Sequence, residues 1–312
     1  MITYLDIQHG FKSLPEWQPG CWIKAECPTN EEIEFLTSRF QVPVSFIHDI
    51  SDSDERPRTE MDDDWQLIIL RIPHLTDDRS LPFITIPLGI IACGDVLLTV
   101  SFLQTSLLAD FVAHKLRKNI AIRHFFEFFL RFQVSSSVWY LKYLKQINHQ
   151  IRIAEHELEK SIKNEELQNL LRIEKSLVFF VTSLKGNQVL LAKVKLSRLG
   201  KGFQDDDEIQ ELIEDAATET QQAIDMANIH SDILSGMMDA FASVISNNLN
   251  AVMKRLTSIS IILMIPTLVA SLFGMNIPNY LENHAFGFLG VCLGSFLLAV
   301  AALLIFKRRE WF

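Results

Sequence analysis

Asn276 closes a long apolar run, and the residues behind it repeat at helical spacing. Thr267, Met264, Ser260, Leu256, Met253 and Asn250 follow one another at steps of three or four, which places them near one face of a helix. Thr257 and Ser271 lie close by. Small polar groups in such a run face protein or water rather than lipid if the run sits in a membrane. Two readings fit this periodicity equally. One is a helix–helix packing face, where small residues let backbones approach. The other is the lining of a water-filled path. In the second case Asn276 would present a ring of carboxamides at the mouth of an assembly of several copies. Carboxamide oxygens hold a hydrated divalent cation through its water shell without the trapping strength of carboxylates. Magnesium dehydrates reluctantly, so a neutral polar ring suits it. Gly274 allows close packing or a tight turn where the helix ends, and Pro278 prevents its continuation.

The elements that must position these residues are two C-terminal apolar segments, Leu256 to Phe273 and Ala285 to Phe306, each free of charged side chains. Each is about long enough to cross a bilayer, which takes roughly 20 residues. Lys254 and Arg255 precede the first, Lys307, Arg308 and Arg309 follow the second, and the loop 276–284 holds no Lys or Arg. The positive-inside rule puts both termini in the cytoplasm and the loop outside. Trp311, Phe312 and Tyr280 are candidate interfacial anchors. No secretory leader is expected in Met1 to Gly20, which lacks an apolar core. Cys21, Cys27, Cys93 and Cys292 are scattered, and a disulfide framework is not expected in a reducing cytosol.

Residues 1–255 hold 26 Lys and Arg against 36 Asp and Glu, a balance of about −10. A nucleic-acid partner is excluded on that ground, because phosphate binding needs a basic surface. The chain is expected to be an α+β membrane protein. Residues 1–105 read as a cytosolic α/β domain, with a strand at Trp65 to Pro73 and a hairpin of Phe83 to Ile91 with Val96 to Phe102 across Cys93-Gly94-Asp95. Short helices are predicted at Asn30 to Phe40, opened by the cap-like Thr29-Asn30 before Glu31 and Glu32, and at Pro43 to Ile50. Residues 106–206 read as long amphipathic helices, Ile122 to Lys163 and Glu165 to Val194, with Lys195 to Asp205 as a connector. One helix is predicted from Asp207 to about Asn276. Its part over 207–255 is a cytosolic stalk, 256–275 is the first span, 276–284 the outer loop, 285–306 the second span and 307–312 a basic cytosolic tail. A helix of that length needs partners, so lateral assembly is expected.

Gly274-Met275-Asn276 between two C-terminal spans resembles the CorA family of magnesium channels. The position carries the resemblance: end of the penultimate span, short outer loop, last span, basic tail. Asn250-Ala251-Val252-Met253-Lys254-Arg255-Leu256-Thr257 is similar to the family's approach to the membrane, so the likeness covers the whole chain. It implies a ring-shaped homo-oligomer, a homopentamer, in the cell membrane. The first spans would line the pore and the second would surround them. It places the selectivity filter on Gly274, Met275 and Asn276, and the pore lining on Asn250, Met253, Leu256, Met264 and Thr267. Met253 and Leu256 would form a hydrophobic constriction that closes by dewetting. It implies regulatory metal between subunits, held by Asp239 and Asp215 on the stalk and by Asp63 and Asp64. Asp215 and Asp239 lie 24 residues apart, roughly 36 Å along a helix, so they would serve separate ions. Magnesium is then both cargo and regulator: high cytosolic magnesium relieves the repulsion between facing carboxylates and holds the closed arrangement. The competing reading of Asp62-Asp63-Asp64 is a solvated turn before a strand.

Relatives often carry an acidic segment after the tripeptide, whereas Glu282 is the only acid in this loop, so cation concentration at the outer mouth would rest on it alone. Cobalt and nickel are further candidate cargo. Zinc or other divalent transport, as in the ZntB relatives of the same fold, is the alternative; those usually replace the tripeptide's Met, which is kept here as Met275. A membrane-anchored interaction protein would have no need of the polar stripe. An enzyme, or an organic cofactor, is not expected: there is no phosphate-cradling glycine loop, Cys-x-x-Cys or His-Glu-x-x-His. His149 and His156 read as surface residues.

Overall fold

The structure, a computed structural model, describes residues 1–78, 80–118, 121–160, 164–275, 286–309 and 311. It divides into two compact units, Met1–Gly236 and Met237–Phe312.

The first unit is built on a seven-stranded sheet. In chain order its strands are β1 (Ile2–Asp6), β2 (Lys12–Leu14), β3 (Trp22–Glu26), β4 (Arg58–Asp62), β5 (Trp65–Leu75), β6 (Phe83–Cys93) and β7 (Val96–Ser101). The spatial order is β2-β1-β3-β7-β6-β5-β4. All neighbours are antiparallel except β3 and β7. The predicted hairpin is present: Cys93 pairs with Val96, and Gly94 takes a φ of 54° in the two-residue turn. That left-handed backbone suits glycine in a tight hairpin turn. The strands β1 to β4 were not among the sequence expectations.

Both faces of the sheet are covered, so β5 carries the continuous apolar run Leu67 to Leu70 rather than an alternating one. Leu67 and Ile69 of β5, with Ile23 and Ala25 of β3, pack against α1 (Asn30–Arg39) and α2 (Val44–Ser51) through Leu36, Phe46, Ile47 and Ile50. Of the cap-like pair Thr29-Asn30, Thr29 is the cap of α1, in a reciprocal capping box with Glu32, and Asn30 is the first helical residue. Gly89 of β6 lies directly under Ile50, and a Cβ there would overlap Ile50 Cδ1 and Cγ1. Gly89→Ala is therefore expected to destabilise this unit by about 1–3 kcal/mol. Adding Ile50→Val should recover part of the loss in thermal unfolding.

The other face carries α3 (Ser106–Lys118), α4 (Phe125–Lys160) and α5 (Asn164–Leu196). Trp22 is fully buried there, edge-on to Phe11, Phe111, Phe128 and Phe132 at 5.2–6.0 Å between ring centroids. Its indole Nε1 donates to Thr99 Oγ1 at 2.9 Å. Further along, β4 stops opposite Ile69, and Pro87, opposite Arg71, has no N–H to give. The Arg71 backbone is taken up instead by Asn187 of α5, whose carboxamide accepts from Arg71 N at 3.0 Å and donates to Arg71 O at 2.7 Å. Tyr140 Oη of α4 donates to the same carbonyl at 3.0 Å. The buried Arg71 guanidinium donates to the Ser53, Glu55 and Thr85 carbonyls, and burial holds its pKa below the ordinary value. This network ties α4 and α5 to the sheet.

The connector predicted at Lys195 to Asp205 contains one short helix, α6 (Arg198–Lys201). Then α7 runs Asp207–Phe273 without a break, through Pro266. In the first unit its buried face is Ile209, Ile213, Ala216, Thr220, Ala223 and Ala227, at steps of three or four. Thr220 fixes that face on α4, with Oγ1 accepting from Gln133 Nε2 at 2.9 Å and lying 3.0 Å from Ser137 Oγ.

The second unit holds the rest of α7 and α8 (Gly287–Arg308). Among the described residues, three helices are long and apolar enough to cross a membrane: α5, α7 and α8. Burial separates them. In α5 44% of the apolar window is buried within the fold, against 6% in α7 and 0% in α8. The apolar face of α5 is spent on the sheet and α4, while among the described residues those of α7 and α8 stay almost wholly uncovered.

Candidate functional site

The stripe lies on the C-terminal third of α7. Met253, Leu256 and Met264 are 53%, 58% and 65% exposed in the single chain, large values for apolar side chains. Asn250 and Thr267 are exposed beside them and Ser260 is half-buried. Ser260 Oγ donates to the Leu256 carbonyl at 3.0 Å, and Thr267 Oγ1 to the Leu263 carbonyl at 3.1 Å. Each hydroxyl hydrogen is thereby spent on the helix one turn back. The oxygen lone pairs remain as outward acceptors, the polarity that suits water around a cation.

The helix ends close to the expected place. Phe273 is its last residue, and Gly274 N donates to the Ala270 carbonyl at 2.9 Å. A Cβ on Gly274 would stand 3.1 Å from that oxygen, so the closing turn is tight enough to favour glycine. Met275 follows, 50% exposed. Asn276 and Glu282 lie outside the described residues.

The four acids sit on two kinds of element. Asp63 and Asp64 form the two-residue turn of the β4–β5 hairpin, since Asp62 pairs with Trp65, and Asp63 takes a φ of 49°. A solvated hairpin turn is thus their local structure. The Cys93 thiol is pushed up by burial and, second, by the Asp64 carboxylate. Asp215 and Asp239 are exposed on α7, one in each compact unit. Among the described residues no group of three or more His, Cys, Asp or Glu side chains is placed to hold a metal ion. A single chain therefore closes no metal site with these acids. Sequence reasoning did not find the Gln133–Ser137–Thr220 contact that seats α7; its one signal was a run of small polar residues on otherwise apolar helix faces.

The profile of the family described as CorA-like Mg2+ transporter protein matches residues 17–308. The cobalt/magnesium transport protein CorA of Methanocaldococcus jannaschii is 29% identical over 93% of this chain and 90% of its own length. The protein of the same description from Thermotoga maritima is 35% identical over 31% of this chain and 28% of its own. The complete structure of the Methanocaldococcus jannaschii CorA magnesium transporter superposes with a TM-score of 0.86 at 26% identity, covering 100% of this chain and 99% of that one.

Proposed function

The chain belongs to the family of CorA-like Mg2+ transporter proteins, and from that premise we propose that it forms a magnesium channel gated by cytosolic magnesium. It is a membrane transport protein rather than an enzyme. In the proposed assembly five copies ring an axis in the cell membrane, with both termini cytoplasmic. The α7 stripe lines the water path and α8 surrounds it. Hydrated magnesium is selected at an Asn276 ring shaped by Gly274 and Met275, with Glu282 drawing cations to the outer mouth. It then passes Thr267, Met264, Leu256, Met253 and Asn250. Cobalt and nickel are proposed as further cargo.

One observation carries this reading: the exposed stripe of Asn250, Met253, Leu256, Met264 and Thr267 on a helix of membrane length. A lipid-facing anchor would gain nothing from an exposed carboxamide and hydroxyl at helical spacing. The first test is magnesium entry into liposomes holding the purified protein, followed with an internal magnesium dye. Entry that stops as internal magnesium rises supports the reading. Silence for magnesium, cobalt and zinc at low internal magnesium sinks it, and an anchored interaction protein takes its place.

Gating is proposed to rest on Asp239, Asp215, Asp63 and Asp64, which meet partners on neighbouring copies. Like charges facing across an interface repel, and a divalent ion between them removes the repulsion and holds the closed state. Asp239→Asn, exposed and free to change without packing loss, is expected to raise the half-inhibiting magnesium concentration by about tenfold, the scale of a typical coupling energy. Its maximal flux should match wild type. An unchanged inhibition curve removes Asp239 from the regulatory site.

A further inference from the structure

A cleft of about 640 Å³ opens in the second unit beside the start of the apolar part of α7. Asn247, Lys254, Arg255, Thr257 and Trp311 line it, and Asn250 and Met253 of the stripe border it on one side. Trp311 is held there from α8: its backbone N donates to the Phe306 carbonyl at 3.1 Å, and its indole stacks on the Phe306 ring at 5.4 Å and 17°. At 100° per residue, Lys254 and Arg255 lie roughly 100° and 160° around α7 from the centre of the stripe, so they point away from the proposed water path. Among the described residues, none of Lys254, Arg255, Lys307, Arg308 and Arg309 forms an ion pair. A chain whose first 255 residues carry about ten excess negative charges thus keeps an unneutralised basic cleft at the level where a cytosolic leaflet presents its headgroups.

We propose that this cleft seats the phosphate of an anionic phospholipid, an inference that rests on the reading of α7 and α8 as membrane spans. Lys254 supplies a compact ammonium and Arg255 a planar fork matched to phosphate oxygens. Asn247 and Thr257 add hydrogen-bond donors, and the Trp311 indole sits at headgroup depth with one N–H to give. Basic pockets between spans on the cytosolic side take anionic headgroups in this manner.

The test uses tryptophan quenching in the full-length protein and needs no transport. The protein is placed in phosphatidylcholine vesicles containing either brominated phosphatidylglycerol or brominated phosphatidylcholine. Trp311→Phe gives the signal of the other four tryptophans, which is subtracted. Brominated phosphatidylglycerol is expected to quench Trp311 at about a 25-fold lower mole fraction. Each cleft charge should account for roughly fivefold, so Lys254→Gln with Arg255→Gln erases the preference. Arg308→Gln with Arg309→Gln, outside the cleft lining, should leave most of it. Equal quenching by the two lipids overturns the proposal. Equal loss in the two double variants also overturns it, because the attraction is then diffuse. Protection of Trp311 by millimolar soluble glycerol phosphate would assign the cleft to a free anion and overturn the lipid reading. A protein that binds the lipid but passes no magnesium would retain this inference while losing the channel.

Discussion

Asn276→Ala is expected to cut magnesium entry into liposomes by at least about tenfold and to flatten the preference for magnesium over calcium. Hydrogen bonds to a charged partner, here the polarised water of a hydrated cation, contribute roughly 1.5–3 kcal/mol each. Losing even one such contact per ion accounts for a tenfold change, and a ring loses several. The alanine side chain also removes the only polar group between Gly274 and Pro278. Asn276→Asp should behave differently. A carboxylate ring binds the ion more tightly than conduction tolerates, since an ion must leave as readily as it enters. Its apparent affinity should rise while maximal flux falls. Native mass spectrometry of both variants checks that the subunit count is that of wild type. Wild-type flux and selectivity in Asn276→Ala would remove the carboxamide ring from the mechanism.

What the sequence made legible was what is local. The apolar runs of α7 and α8, the Thr29 cap and the Cys93–Val96 hairpin each depend on residues within a few turns of one another. What escaped was set from far away. Lys12-Ser13-Leu14 and Arg58-Thr59-Glu60-Met61-Asp62 carry no strand pattern of their own, and become strands because β1 and β5 offer paired edges. Trp22-Ile23-Lys24-Ala25-Glu26 pairs in parallel with a strand more than 70 residues on. Asn187 and Tyr140 meet Arg71 across separations of 116 and 69 residues. Composition also fails to separate α5 from a membrane helix, because a helix buried on a sheet and a helix buried in lipid need the same side chains; only the partner differs. The stripe was readable as a period, and the fold leaves it exposed. The acids were readable only as charges, since among the described residues no group of three or more such side chains gathers to hold a metal ion.

Leu256→Asn is expected to leave the pathway open at magnesium concentrations that close wild type, with residual entry raised about tenfold or more. Met253 and Leu256 are three residues apart on one face of α7, and both are more than half exposed in the single chain. In a ring they would form two apolar girdles one turn apart. A narrow apolar girdle excludes water, and a hydrated ion cannot cross a dry segment without shedding its shell. Closure then needs only a small approach of the helices, enough to dry the girdle, and not full occlusion. A carboxamide in place of Leu256 supplies hydrogen bonds that keep water in the same bore. The distinction from Asp239→Asn is the shape of the inhibition curve. Asp239→Asn should move the curve to higher magnesium and still close fully, because the girdle is intact. Leu256→Asn should keep the midpoint and raise the floor, because the regulatory ions still bind but the closed bore no longer dries. Leu256→Ile keeps the apolar girdle and should close as wild type does. A Leu256→Asn protein that closes completely would place the barrier at another level of α7, with Met264 the next exposed apolar position on the stripe.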